Sequence, residues 1–137
     1  MYDIQRVGKI LADIDKYLSE IESYDIKSIL DLSDSKTYNA SSMIIFAILN
    51  RLIDLGGEII SAENLGAPNS YQDIMNILAK SNIINKPQAE RINSLIRKRN
   101  MLAHYYGEFT ERDLFNMLKE LREIPSFVKT IKKRIKL

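Results

Sequence analysis

A strongly apolar stretch near the middle of the chain, MIIFAILNRLIDLGGEII at residues 43–60, most constrains the fold. It is too hydrophobic for a helix on the surface of a globular protein. Four polar residues interrupt it: Asn50, Arg51, Asp54 and Glu58. We therefore predict a buried central helix with a polar strip, which begins within residues 34–39 and ends near Glu63. Gly56 and Gly57 cost about 1 kcal/mol each in a helix relative to alanine, so we expect close approach of another helix or a kink.

One further helix is predicted on each side of this central one in the sequence. In the first, over residues 2–22, apolar residues recur at spacings of three and four, as on the buried face of an amphipathic helix. A short helical turn is expected near residues 26–30. Beyond the central helix, Ser70 is placed to cap another helix, and Asp73 in its first turn completes a weak capping pattern.

The last two predicted helices are separated by a glycine. The fourth covers about residues 85–106, with Pro87 in its first turn and Gly107 as a natural C-terminal cap. Thr110 opens the fifth helix, which Pro125 is expected to bend or break.

The whole pattern predicts an all-α protein, an antiparallel bundle of four to five helices that forms one domain over residues 1–137. Glycine and proline are scarce, at 5 and 3 residues, and no long segment alternates with a period of two. The hydrophobic share of 45% and the charged share of 28% are those of a globular chain and exclude a disordered one.

The composition also excludes several kinds of site. The chain has no cysteine, one histidine and no paired acidic residues at ligand spacing, so we predict no metal site. The two adjacent glycines fit neither phosphate-loop motif, and we predict no cofactor. No apolar run reaches the roughly 20 residues that span a bilayer, and the N-terminal residues lack a signal-peptide pattern. We therefore expect a cytoplasmic protein without membrane contact.

The residues suited to chemistry lie near the end of the fourth predicted helix, in RINSLIRKRNMLAHYYGEF at residues 91–109. Arg99 falls on the apolar stripe of this helix, three residues after Ile96. A guanidinium is costly to bury without partners, and such a local conflict tends to mark a functional site. Asp54 and Glu58 are open as buried partners of Arg99, although surface or interhelical contacts suit them equally.

Three polar side chains accompany Arg99. Asn100 and His104 are four residues apart and are therefore neighbours on a helix surface, while Tyr106 lies seven residues after Arg99 on the same face. The set combines a phosphate-binding guanidinium, a polar positioning group, an imidazole that transfers protons near neutral pH, and a phenol. A lone histidine near a helix end is usually a dipole contact or a core group, but this register favours a catalytic role for His104.

The spacing R-x4-H-x-Y from Arg99 through His104 to Tyr106 resembles the motif of the HEPN superfamily, and R-N-x-L-x-H-x-Y resembles that of the HepT toxins. The likeness covers roughly residues 40–110, including NRLIDLGGEIISAENLG and SYQDIMNIL. The resemblance implies that residues 1–137 form a single HEPN-like domain, an antiparallel helical bundle. It also implies a homodimer, in which the two motif helices face each other across a shared cleft.

The resemblance also implies a function: a metal-independent endoribonuclease toxin of a type VII-like toxin–antitoxin pair. Arg99 would then hold the scissile phosphate of an RNA substrate, His104 would act as general acid or base, and Asn100 would orient the substrate or the imidazole. The partner implied is a minimal nucleotidyltransferase antitoxin, which in this family adds AMP to the motif tyrosine. In this chain that residue is Tyr106 and not Tyr105.

A second hypothesis, from a different class of function, remains open. Some HEPN domains serve as the non-catalytic substrate-binding or scaffold subunit of a nucleotidyltransferase, and the same cleft would then bind a nucleotide or the tail of the partner. The complete motif favours the enzyme. A test for RNA cleavage in excess chelator separates the two hypotheses.

Overall fold

The computed structural model describes residues 1–104 and 109–136, and for residues 103 and 104 it describes the backbone alone. Within these residues all regular structure is helical, which confirms the all-α prediction. The α-helices are, in chain order, α1 Ile4–Ser23, α2 Ser35–Glu63, α3 Tyr71–Lys80, α4 Lys86–Arg97, α5 Arg99–His104, α6 Glu111–Glu120 and α7 Ile124–Ile135. Two short 3-10 helices, Ile29–Ser33 and Leu121–Glu123, lie just before α2 and α7 in the chain.

Side-chain caps start the helices at positions that the sequence marks. Ser70 accepts a hydrogen bond from the backbone of Asp73 at the start of α3, and Thr110 forms a reciprocal capping box with Asp113 at the start of α6. Pro125 lies in the first turn of α7, where its missing N–H leaves no helical bond unmade. The predicted break near this proline is confirmed, because a 3-10 turn separates α6 from α7.

Helices α1 and α2 pack against each other in antiparallel orientation. Arg6 near the start of α1 pairs with Glu58 near the end of α2 at 2.6 Å, whereas Asp13 in the middle of α1 lies 3.7 Å from Arg51 in the middle of α2. Residue numbers thus rise along one helix as they fall along the other, as the predicted bundle requires.

The buried side of α2 forms the centre of the core. Its fully buried apolar side chains are Ile45, Ile48, Leu49, Leu52, Leu55 and Ile59. They belong to one contiguous apolar cluster that also includes residues of α1, α3, α4, α6 and α7, and each such side chain contributes about 1.5–3 kcal/mol by leaving water. Although α2 has 29 residues, neither it nor another helix in the described part of the chain is long and apolar enough to cross a membrane.

Glu63 at the end of α2 contacts the segment before α1 and the end of α7. It accepts hydrogen bonds from the Tyr2 hydroxyl and from Arg134 of α7, whose Nη2 lies 2.6 Å from Oε1. The hydrogen bond from Arg134 lowers the pKa of Glu63, and burial raises the pKa of Tyr2 to about 12. The carboxylate therefore stays charged and the phenol stays neutral at physiological pH, so the contact persists.

The turn between α4 and α5 corrects the prediction of one unbroken fourth helix. The helix is interrupted at Lys98, whose backbone N–H donates to Leu95 at 3.0 Å in a tighter, 3-10-like bond. The Lys98 ammonium group in turn contacts Glu120 at the end of α6 at 2.8 Å. Gly107, the predicted cap, lies outside the described residues.

The two adjacent glycines of α2 have different surroundings. A Cβ on Gly56 would overlap the Ile74 side chain of α3 and lie 3.5 Å from Met75, whereas a Cβ on Gly57 would meet no atom of the described residues within 4 Å. The predicted close approach of another helix is therefore confirmed at Gly56 and absent at Gly57.

This difference predicts opposite effects of one substitution at neighbouring positions. Gly57→Ala should raise the free energy of unfolding by up to about 1 kcal/mol through helix propensity alone. Gly56→Ala gains the same propensity but overpacks the contact with buried Ile74, which costs about 1–3 kcal/mol, so its net effect should be a loss of about 1 kcal/mol. Urea denaturation of the two variants checks the signs, and equal shifts in the two variants would contradict the packing of α3 on Gly56.

Candidate active site

Arg99 is the first residue of α5, which also carries Asn100 and the backbone of His104. Its side chain is half-buried. Leu95 and Ile96, which precede it by four and three residues at the end of α4, are buried. The arginine is therefore partly buried, but the helix is broken at the residue before it, so the apolar stripe predicted along one unbroken helix is interrupted there.

Four side chains from three helices contact the Arg99 guanidinium. Its Nε donates a hydrogen bond to Oδ1 of Asn50 on α2 at 2.6 Å, and its Nη1 donates to Oδ1 of Asn100 at 3.2 Å. Its central carbon lies over the ring of Phe46 on α2, 5.1 Å from the centroid, and over the ring of Tyr71 on α3, 5.0 Å from the centroid. Both distances are within the range of a cation–π contact.

Within the described ranges, no carboxylate pairs with Arg99, so its positive charge is not offset there. Asp54 lies 2.9 Å from Arg51, and Glu58 lies 2.6 Å from Arg6. The interpretation of these two acids as buried partners of Arg99 is therefore wrong, and the alternative of surface and interhelical contacts is right. Arg99 has the chemistry of an anion-binding group that is held in place by neutral partners.

The other predicted site residues are described to different extents. Asn100 is exposed and contacts the guanidinium of Arg99. His104 is the last described residue of α5, and its backbone lies one turn after Asn100, but its side chain is outside the described part of the chain. Tyr105 and Tyr106 lie entirely outside the described residues, so the assignments to His104 and Tyr106 remain predictions.

Three residues of this arrangement were not singled out from the sequence. Asn50 belonged only to the polar strip of the central helix, and Phe46 was expected in the core but is only partly buried. Tyr71 follows the capping residue of α3 and is 51% exposed. The available clue was the spacing of four between Phe46 and Asn50, which places an aromatic ring and an amide on the same side of one helix.

No group of three or more acidic or histidine side chains in the described ranges is arranged to hold a metal ion. The side chains around Arg99 are amides and aromatic rings, which do not form the oxygen-rich or imidazole ligand sets of common metal sites.

The chain matches the model of a known protein family and is similar to a curated protein. A family model described as Ribonuclease HepT-like matches residues 9–133. Among curated proteins, the mRNA nuclease HepT of Shewanella oneidensis is 27% identical over 81 residues. That match covers 58% of this chain and 61% of the relative, which is less than two thirds of its length.

Solved structures share the fold over nearly the whole chain. YutE of Bacillus subtilis, a cytosolic protein of unknown function, superimposes with a TM-score of 0.84 at 22% identity, covering 98% of this chain and 93% of that one. The tri-AMPylated HEPN toxin of Shewanella oneidensis, in complex with MNT antitoxin, superimposes with a TM-score of 0.86 at 21% identity, covering 97% and 99%. At these identities the likeness shows a common fold.

Proposed function

The chain belongs to the HepT-like ribonuclease family, and from that premise we propose that it is a metal-independent endoribonuclease, the toxin of a toxin–antitoxin pair. The observation that carries the proposal is the half-buried guanidinium of Arg99, which no carboxylate offsets within the described residues. The mRNA nuclease HepT among the relatives supports RNA as the substrate, and the HEPN toxin in complex with MNT antitoxin supports a nucleotidyltransferase as the partner.

The proposed reaction is an internal transesterification of RNA. The 2′-oxygen attacks the adjacent phosphorus, the bond from phosphorus to the 5′-oxygen breaks, and the products carry a 2′,3′-cyclic phosphate and a 5′-hydroxyl. Arg99 binds the phosphate and stabilises the negative charge that develops on it. His104 takes the proton of the 2′-hydroxyl or donates a proton to the leaving oxygen. Asn100, through its contact with Arg99, helps to orient the phosphate-binding group.

The site is proposed to be composite, at the interface of a homodimer. Tyr71, which touches Arg99, is 51% exposed, and Met43, one helical turn from Phe46, is 73% exposed. Exposed apolar side chains beside a polar site are typical of a surface that another protein covers. We assign a second copy of the chain as that protein, in line with the HEPN resemblance.

Regulation is proposed to act on Tyr106, which a minimal nucleotidyltransferase antitoxin would modify with AMP. The modified relative in the structural comparison supports this chemistry for the family. An AMP group adds a negatively charged phosphodiester, and if Tyr106 lies near Arg99 as the helical spacing predicts, that charge competes with RNA for the guanidinium.

Substitution of the two proposed catalytic residues tests the activity. Arg99→Ala and His104→Ala should each lower RNA cleavage in excess EDTA by at least about 100-fold, the contribution expected of a proton-transfer group or an electrostatic clamp. Arg97→Ala is the matched control, because it removes an exposed arginine two residues away and should cleave as the wild type does. Wild-type cleavage by His104→Ala would refute its assignment. RNA binding without cleavage by the wild type would favour the non-catalytic subunit.

Light scattering tests the dimer. The wild-type protein should have the mass of two chains at micromolar concentration, and Met43→Glu should shift it towards one chain because a charge is placed in the proposed interface. Leu30→Glu is the control, since Leu30 is 76% exposed on the 3-10 helix Ile29–Ser33 and lies outside the proposed interface. A wild-type monomer at this concentration would argue against a composite site.

Substitution of the two adjacent tyrosines separates regulation from catalysis. Tyr106→Phe removes the hydroxyl that would accept AMP and keeps the ring, so it should retain at least part of the ribonuclease activity and resist silencing by the antitoxin. Tyr105→Phe should behave as the wild type in both respects. Intact mass spectrometry after incubation with antitoxin and ATP reads out the adduct. An adduct that persists in Tyr106→Phe and vanishes in Tyr105→Phe would show that the assigned tyrosine is wrong.

A further inference from the structure

Arg99 differs from the arginines that link helices elsewhere in the protein. Those arginines have carboxylate partners: Arg6 with Glu58, Arg91 with Glu123, and Arg134 with Glu63. Asn50 and Arg51 are adjacent on α2, yet Arg51 lies 2.9 Å from the carboxylate of Asp54, whereas Asn50 offers Arg99 only an amide oxygen. The amide satisfies an N–H donor at 2.6 Å without adding a negative charge.

The rings of Phe46 and Tyr71 contact the same guanidinium in a different way. A cation–π contact stabilises a positive charge through the face of a ring and uses none of the N–H donors. Two of the donor groups of Arg99 are directed to Asn50 and Asn100, and the remaining N–H groups have no partner among the described residues. The side chain is therefore held from several directions, and the described residues leave its charge and part of its hydrogen-bonding edge available for an anion.

We propose that Asn50, Phe46 and Tyr71 are positioning residues for Arg99, which form a neutral cage that fixes the guanidinium while leaving its charge for an RNA phosphate. This inference rests on the proposed ribonuclease function and extends it to residues of α2 and α3. It requires that position 50 carry an uncharged acceptor. A carboxylate there would bind the guanidinium more strongly than an amide does and would compete with the phosphate.

The substitution Asn50→Asp tests this requirement, because it keeps the size and the acceptor oxygen and adds one charge. The probe is a fluorescent 2′-O-methyl RNA oligonucleotide, which has the phosphates of RNA but lacks the reacting 2′-hydroxyl. Its affinity at fixed salt should fall about tenfold or more, the effect of losing a hydrogen bond to a charged group. The midpoint of thermal unfolding should stay at or above that of the wild type, since a new ion pair to Arg99 replaces the amide contact. A merely structural residue would lose stability together with affinity.

Asn116→Asp on α6 is the matched control, since it makes the same change at an exposed position and should bind the probe as the wild type does. Tyr71→Leu should weaken the affinity about threefold by removing a partly exposed cation–π contact, whereas Tyr71→Phe keeps the ring and the wild-type affinity. In an Arg99→Ala background, Asn50→Asp and Tyr71→Leu should have little further effect, because the group that they position is absent.

The outcomes distinguish a failure of the proposed cage from a failure of the proposed ribonuclease function. Wild-type affinity in Asn50→Asp, or losses that are equally large in the Arg99→Ala background, would overturn the cage. If the wild-type protein binds the probe but cuts no RNA, the ribonuclease function is wrong, and the cage stands or falls on the Asn50→Asp affinity. If the wild-type protein neither binds nor cuts, both are overturned.

Discussion

The burial of α2 against its neighbours is the constraint on which the site depends. Ile48 is completely buried in the core, and rotating the helix to expose it would also displace side chains packed at close to crystal density. Phe46 and Asn50 therefore point in fixed directions. Gly56, one to two turns further on, allows α3 to lie close to α2, and this packing sets the position from which Tyr71 at the start of α3 reaches Arg99.

The polar strip of α2 is divided between two tasks. Arg51 and Glu58 face ionic partners on α1, where partly exposed pairs contribute at most about 1 kcal/mol each and serve mainly to set the pairing of the two helices. Asn50 faces α5 instead and meets Arg99 with a neutral oxygen. Arg51 thus takes part in ion pairs that support the fold. The adjacent Asn50 holds Arg99 through an amide, which does not offset the charge of the guanidinium.

The structural elements that could be predicted from the sequence are those determined by residues close together in the chain. Helical periodicity and the caps at Ser70 and Thr110 placed the helices, because these effects act within one or two turns. Arg99 was identified because a guanidinium on an apolar stripe conflicts with its surroundings. Its partner Asn50 lies 49 residues away, and no spacing rule joins residues at that distance. Tyr71 was missed because the first residue of a capped helix has no distinguishing pattern.

The break between α4 and α5 shows why the helical projection of the motif was incomplete. Lys98 is neither glycine nor proline, and the residues around it favour a continuous helix. The tertiary contact of Lys98 with Glu120 accompanies the tighter turn, and a contact of this kind cannot be read from periodicity. The direction of α5 therefore had to be learned from the structure.

The break at Lys98 separates α5 from α4, so the position of α5 depends on its contacts with the rest of the bundle. The hydrogen bond from Arg99 to Asn50 is one of these contacts, which gives the same bond a structural and a chemical consequence. A ligand that pulled Arg99 away from Asn50 would loosen the attachment of α5 to α2. A phosphate that approaches the N–H groups of the guanidinium that have no partner among the described residues keeps this bond intact. The geometry therefore favours binding in which the arginine stays in place and the anion comes to it.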